Sequence, residues 1–359
     1  MKGFILVVII ASILMSLIAV PVLAQGIQNV ELHGYMQNRF FFNPSSSARF
    51  VTERLSLSAT GQLGKDGTAY AEVYFHPWLP AVTPAEQFRT YVESAYVDLP
   101  LLDGRIRIGK GRQLNFGLTP SYPNRKTTQY GILSETFTQD RIVGAQYAYK
   151  SGPLDAGISV YTDQSVSTRG IGDFAGNVST ADVVSHFVDK DVPASNTGEL
   201  AVSAKLGLKM GSLTAHVSGA TGKLNETNLT TLNTPYGLAS TDTDHNKYGV
   251  DAIYSAGPFV AQGELYQGNF SFLKISGYSV LVGYQSKDSR RAYLRYSALN
   301  YDRSPIANQP LTWEPQQLTL GIVQPIRKGV WAEFQYERNT ESGGDRDNDL
   351  LFVEFFTGF

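Results

Sequence analysis

Five histidines, a set of arginines at alternate positions and scattered carboxylates are the side chains here that could do chemistry; there is no cysteine. Hydrolysis by a serine needs a base within hydrogen-bond reach and a third group that orients the base. His33 and His216 fall on the inward faces of different expected strands, while His76, His186 and His245 lie near or in links. None sits in a recognisable nucleophile motif, so neither catalysis nor a cofactor is expected. Asp345, Asp347 and Asp349 in "GGDRDND" alternate as calcium ligands can, but the glutamate that completes an EF-hand loop is missing. The expectation there is a solvated loop, with no metal. "GIGDFAG" (170–176) is glycine-rich without a strand leading into a helix, which removes a nucleotide site.

What remains is electrostatics. "GRIRIGKGR" turns Ile106 and Ile108 to one side and Arg105 and Arg107 to the other. The same parity places Arg39, Arg54, Lys205, Arg291 and Arg295 on inward faces, opposite Glu72, Asp98, Asp251, Glu264, Glu333, Glu337 and Glu354. Such side chains around a water-filled lumen tune which ions enter. Bases gather on the first, second and fifth strands and acids mostly on the tenth, eleventh, fifteenth and sixteenth. That split predicts a field across the lumen rather than an anion trap.

Two-faced strands must hold these groups, since side chains alternate with a period of two. "GYSVLVGYQS" puts Tyr278, Val280, Val282 and Tyr284 on one face and Ser279, Leu281, Gly283 and Gln285 on the other. An aromatic at each end with aliphatics between is what a strand needs to cross ~25 Å of hydrocarbon. "YGVDAIYSAG" and "GVWAEFQYER" repeat the pattern. Sixteen such segments are expected: 29–42, 49–63, 67–77, 89–100, 103–112, 140–150, 153–163, 198–209, 211–222, 246–256, 258–268, 276–286, 289–301, 315–326, 329–339 and 347–359. Every second link is a tight turn ("GKDG", "PLLDG", "KSGP", "KMGS", "SAGP", "SKDS", "IRKG"). Between them lie longer polar links, notably 113–139, 164–197, 223–245 and 302–314.

The first 24 residues carry one charge, Lys2, then an apolar run and a small-residue end, "VLA", which is the grammar of a cleaved secretory signal; the alternative is an uncleaved anchor. The mature chain has 29 Lys+Arg against 32 Asp+Glu, so no nucleic-acid partner is expected. Without cysteine there are no disulfides and no lipoprotein anchor. After the signal, no stretch approaches the ~18 apolar residues of a spanning helix. Charged residues make up only 17%, while Tyr and Phe together number 39. The expectation is an all-β, 16-stranded antiparallel transmembrane β-barrel over 25–359, after a signal peptide at 1–24. Short turns face the periplasm and long loops the outside. The end, "DNDLLFVEFFTGF", needs a partner strand, because hydrocarbon cannot satisfy an open edge; it is expected to pair with 29–42. An export context of this bacterial type gives little weight to the sequons at Asn225 and Asn228.

Eight strands fill their own interior, whereas sixteen to eighteen leave an aqueous channel. By resemblance to general porins, the link 113–139 is the third outer loop, folded into the lumen, and Arg112, Arg125, Lys126 and Glu135 are constriction candidates. "AYVDLPLLDGRIRIGKGRQLNFGL" followed by "RIVGAQYAY" resembles the phosphate-selective porin O and P family. Ala95–Asp98, Ile106–Gly109, Phe116–Gly117 and Arg141–Gly144 occupy that family's motif positions, over about sixty residues. The resemblance implies a trimeric 16-stranded channel, often anion-selective, set among outer-membrane lipid and lipopolysaccharide and passing small hydrophilic solutes or ions. Asn115 departs from the family's usual proline, and the loop lacks a dense lysine cluster. The other readings are a transporter, which would show a plug or hatch, and a structural or adhesin-type barrel acting through 164–197 and 223–245.

Overall fold

The computed structural model describes residues 26–42, 48–76, 89–118, 130–138, 141–162, 166–172, 184–189, 199–303, 313–344 and 347–359. The signal peptide expected at 1–24 lies outside the described residues. Sixteen strands form the wall: β1 (Ile27–Phe42), β2 (Arg49–Leu63), β3 (Gly67–His76), β4 (Arg89–Leu101), β5 (Gly104–Arg112), β6 (Arg141–Ser151), β7 (Leu154–Thr162), β10 (Leu200–Met210), β11 (Leu213–Lys223), β12 (Asp244–Ala256), β13 (Phe259–Phe270), β14 (Leu273–Gln285), β15 (Arg291–Tyr301), β16 (Gln316–Arg327), β17 (Val330–Thr340) and β18 (Leu350–Gly358). Each pairs antiparallel with its neighbours, and β18 pairs with β1 to close the cylinder.

The two faces follow the alternation. On β14 Tyr278, Val280, Val282 and Tyr284 face outward, each at least 41% exposed, while Ser279 and Leu281 face inward at 5%. On β17 Phe334 and Tyr336 are outside and Glu333, Gln335 and Glu337 inside. An outer skin of this kind is unfavourable in water and at home in hydrocarbon.

Turns close one end tightly. The connection between β10 and β11 is two residues, with Gly211 at φ 59°, where a side chain would be strained. Between β4 and β5 a leucine takes that role, Leu102 at φ 52°.

Two features differ from expectation. The link 164–197 is not simply polar coil: it contains a separate hairpin, β8 (Val166–Gly170) with β9 (Ser185–Asp189). The outer link between β13 and β14, read as 269–275, is a two-residue turn at Ser271–Phe272. The strands run on because Phe270, Leu273 and Ile275 are apolar on the inward face, all 0% exposed, which masks the usual apolar/polar alternation. Among the described residues the outer links also hold two helices, α1 (Ile132–Phe137) and α2 (Glu226–Tyr236).

Candidate functional site

Those inward apolar residues are the seat of the third loop. Phe116 and Phe137 flank Tyr266 at 5.6 and 5.8 Å between ring centres, and Phe137 meets Phe270 edge-on at 5.9 Å. Backbone groups are tied as well: Gly117 N–H donates to Ser218 Oγ (3.1 Å) and Leu118 N–H to Tyr266 Oη (3.0 Å). Lys247, on β12 and buried, donates through Nζ to the Phe137 carbonyl (2.9 Å). The loop therefore leaves the end of β5 and crosses the interior to the opposite wall. Asn115 holds its near end, donating to the Tyr147 carbonyl and to Ser159 Oγ, both at 3.0 Å. The departure from proline thus has a local reason: a side-chain amide pins the loop to β6 and β7.

A second link follows it inward. Thr136 Oγ donates to the Phe187 carbonyl (2.8 Å), and Phe187 packs edge-on against Tyr301. Gly172, at φ 74°, lies so close to Asn348, in the link between β17 and β18, that a Cβ would stand 1.7 Å from that residue's carbonyl oxygen. Val166 N–H donates to Asn228 Oδ1 (3.1 Å) of α2, whose first turn is capped by Asn225. The hairpin thus spans the mouth. Its apolar side joins α1, α2 and the inner wall of β11–β15 in one buried cluster that includes Leu133, Phe187, Leu232, Phe270 and Leu299.

Glu135 sits at the junction of these parts. It is buried, with Arg169 of β8 at 3.0 Å and His186 of β9 at 3.2 Å. Burial alone would raise its pKa; the Arg169 guanidinium and the His186 contact outweigh that and hold the carboxyl below the ordinary value. Glu135 therefore joins two loops. A cavity with room for about one water, ≈ 20 Å³, lies beside it among Arg169, His186, Gln317 and Glu337.

The remaining candidates separate into groups. Arg39, 1% exposed, donates Nε to Glu354 (3.0 Å), pairs with Glu53 and lies 4.5 Å from the Phe352 ring centre. Arg54 lies over Tyr74 at 4.7 Å and Arg107 over Tyr96 at 3.9 Å, the latter also donating to Asp98 (3.1 Å). Arg112 donates to the Tyr130 hydroxyl. Arg295, buried, donates to Thr319 (2.9 Å) and Gln317 (3.2 Å). Arg105 is at the turn end of β5, 46% exposed, on Asp98 (2.6 Å). Arg291 lies at the same end, where a cavity of ≈ 670 Å³ is lined by Leu281, Gln285, Lys287, Arg291 and Tyr293 among others. Arg125 and Lys126 lie outside the described residues.

Closure changes the expected charge split. Acids of the last strands and bases of the first are neighbours across the β18–β1 seam, so Arg39 and Glu354 neutralise one another instead of facing across the lumen. Sequence reasoning overlooked Lys247, Glu93 and the hairpin's Arg169, and gave Arg141 a motif position without its partner. Arg141 and Glu93 form a buried ion pair. Lys247 was legible, since it shares the inward parity of Asp251; Glu93 was not, because a register shift in the β3–β4 pairing breaks parity there.

No protein-family model matches the sequence, and no curated protein does. Solved structures do match. Salmonella typhi OmpF, in complex with daunomycin, superposes with a TM-score of 0.64 at 13% identity, over 92% of this chain and 98% of that one. The outer membrane channel DcaP of Acinetobacter baumannii gives 0.59 at 12%, over 92% and 97%. OmpT, an outer membrane protein of Vibrio cholerae solved in a trimer form, gives 0.55 at 13%, over 92% and 99%. At such identities the likeness is one of fold: this chain is a closed sixteen-stranded antiparallel barrel, the architecture it shares with these outer-membrane proteins.

Proposed function

We propose that the protein is an outer-membrane porin, a passive diffusion channel for small hydrophilic solutes or ions. The observation that carries this reading is a sixteen-stranded closed wall, apolar outside and charged inside, with its third loop laid across the interior. Sixteen strands enclose more space than their own side chains fill. Likeness to outer-membrane channels supports the location, and the trimer form among the neighbours supports a homotrimer surrounded by lipid and lipopolysaccharide. No chemistry is assigned to the barrel beyond passage.

The finer expectation, a preference for anions and for phosphate in particular, rests on the family resemblance and on the inward arginines 54, 107, 112 and 295 with the loop residues Arg125 and Lys126. Carboxylates paired with Arg39, Arg105 and Arg107 weaken it. One observation favours a second reading, a structural or adhesin-type barrel: the apolar cluster that packs α1, α2 and the hairpin against β11–β15 occupies part of the interior. Planar-bilayer recording separates the readings. A porin gives discrete ohmic steps, and its reversal potential in a salt gradient reports ion preference; a silent protein removes the channel reading, and a cation preference removes the anion one.

A further inference from the structure

Among the described residues, the half of the barrel built from β10–β18 carries opposite charges at its two ends, and the separation lies along the axis. On the half built from β10–β18, the outer end displays Glu199, Glu226, Asp242 and Asp244 around β10–β12, all exposed. Further round stand Asp302 and Glu314 after β15, then Glu341, Asp347 and Asp349 after β17, exposed or half-exposed. Against these nine acids, the described bases at that end are Lys223, Lys274, Arg303 and Arg338. At the turn end of the same strands the balance inverts. Among the described residues, Lys209, Lys287, Arg290, Arg291, Arg327 and Lys328 stand there with one acid, Asp288, which pairs with Arg290 at 3.1 Å. Lys287 and Arg291 line the ≈ 670 Å³ cavity at that mouth. On the β1–β7 half the turn end leans slightly acidic: Arg105 is held by Asp98 and Lys150 by Asp155, Lys65 is followed by Asp66, and Glu31 and Asp103 are exposed there.

We infer that this channel rectifies: it passes more current when the outer side is positive than when it is negative. The inference rests on the porin reading and adds a direction to it. Fixed acids enrich cations at the outer mouth, and fixed bases enrich anions at the inner one. With the outside positive, cations enter from the acidic end and anions from the basic end. Both populations move toward the middle, and the lumen fills with carriers. Reversing the voltage draws each population back out of its own mouth; replacement must then come through a rim of like charge, so the lumen is depleted. The effect requires a screening length comparable to the mouth, about 10 Å at 0.1 M salt, and it fades when that length is about 3 Å at 1 M.

The test is single-channel recording of the whole mature protein with known orientation. Because the chain has no cysteine, an Ala239→Cys variant, exposed in the outer link after α2, reports which side faces which bath: a bulky membrane-impermeant thiol reagent alters the current only from the outer side. At about 0.1 M salt and ~100 mV the conductance ratio, outside-positive over outside-negative, should be roughly two and should fall toward one at about 1 M. A combined Lys287→Gln, Arg291→Gln, Arg327→Gln and Lys328→Gln variant should bring the low-salt ratio to about one while retaining conductance. If that variant does not assemble, the salt titration of the wild type carries the test by itself, since a ratio that does not fall with added salt contradicts a fixed-charge origin. Symmetric current, or the opposite sign, in a channel that conducts overturns the inference and leaves the porin reading in place. No conductance at all overturns both.

Discussion

Gly172 and Glu135 show how much a single residue can hold. At Gly172 the left-handed backbone and the adjacent Asn348 carbonyl leave no room for a side chain. Gly172→Ala should therefore release the β8–β9 hairpin from the far side of the mouth, read as faster protease cleavage within 166–189 in an otherwise intact barrel. Glu135 makes the same anchoring sensitive to acid. Its folded-state pKa is lowered, so its contribution is present above the unfolded value near ~4.3 and is lost as pH falls through the folded value. The groups around it are Arg169 and His186 on the hairpin, with Arg295 and Glu337 on the wall. Hairpin protection from protease should hold at neutral pH and weaken below about 4. Glu135→Gln should give a hairpin already loosened at neutral pH, with a smaller acid step. An acid step of undiminished size in that variant would show that another group is responsible.

At the scale of elements, the strands were written plainly in the sequence and the inward loops were not. Alternation with outward Tyr, Val and Leu found every wall strand, because lipid on one side and polar groups on the other impose opposite demands on neighbouring residues. It failed where that contrast vanishes. Phe270, Leu273 and Ile275 are apolar yet face inward, since their neighbour is the third loop and not water. The hairpin at 166–189 and the helix at 226–236 were hidden for a related reason. Their apolar residues are few and scattered, and they pack against parts of the chain distant in sequence, which no local period records. The candidate arginines were legible by parity, but their partners depend on which strands adjoin. The loop's seat makes a prediction of its own. Phe137→Ala removes a fully buried ring, a change that costs about 3–5 kcal/mol in a packed interior. If 113–139 narrows the passage, this substitution should raise single-channel conductance without lowering the yield of folded barrel.

For the whole molecule, the decisive contact is the seam between first and last strands. Phe359 exchanges both backbone hydrogen bonds with Gly34, at 2.8 and 2.9 Å, and Phe352 and Phe356 face inward against Arg39 and Tyr35. Leu351 and Phe355 face outward. That is why the last strand is apolar on both sides: one face meets lipid, and the other covers an arginine and a tyrosine of the first strand. Removing Phe359 should cut the yield of assembled barrel, seen as loss of the fast-migrating, heat-modifiable band on a denaturing gel.

The two ends of the chain meet across this seam, so the linear order of the strands is a property of synthesis and not of the finished wall. Arg39 and Glu354 are 315 positions apart in the chain, and pairing over such a span is slow to find. One edge of the first strand, which is paired with β2 on its other side, stays open until the last strand docks. Splicing the two termini with a flexible tether and cutting instead at Gly211 would yield a permuted polypeptide with the same cylinder and a new waiting edge, and it should still mature into a heat-modifiable species.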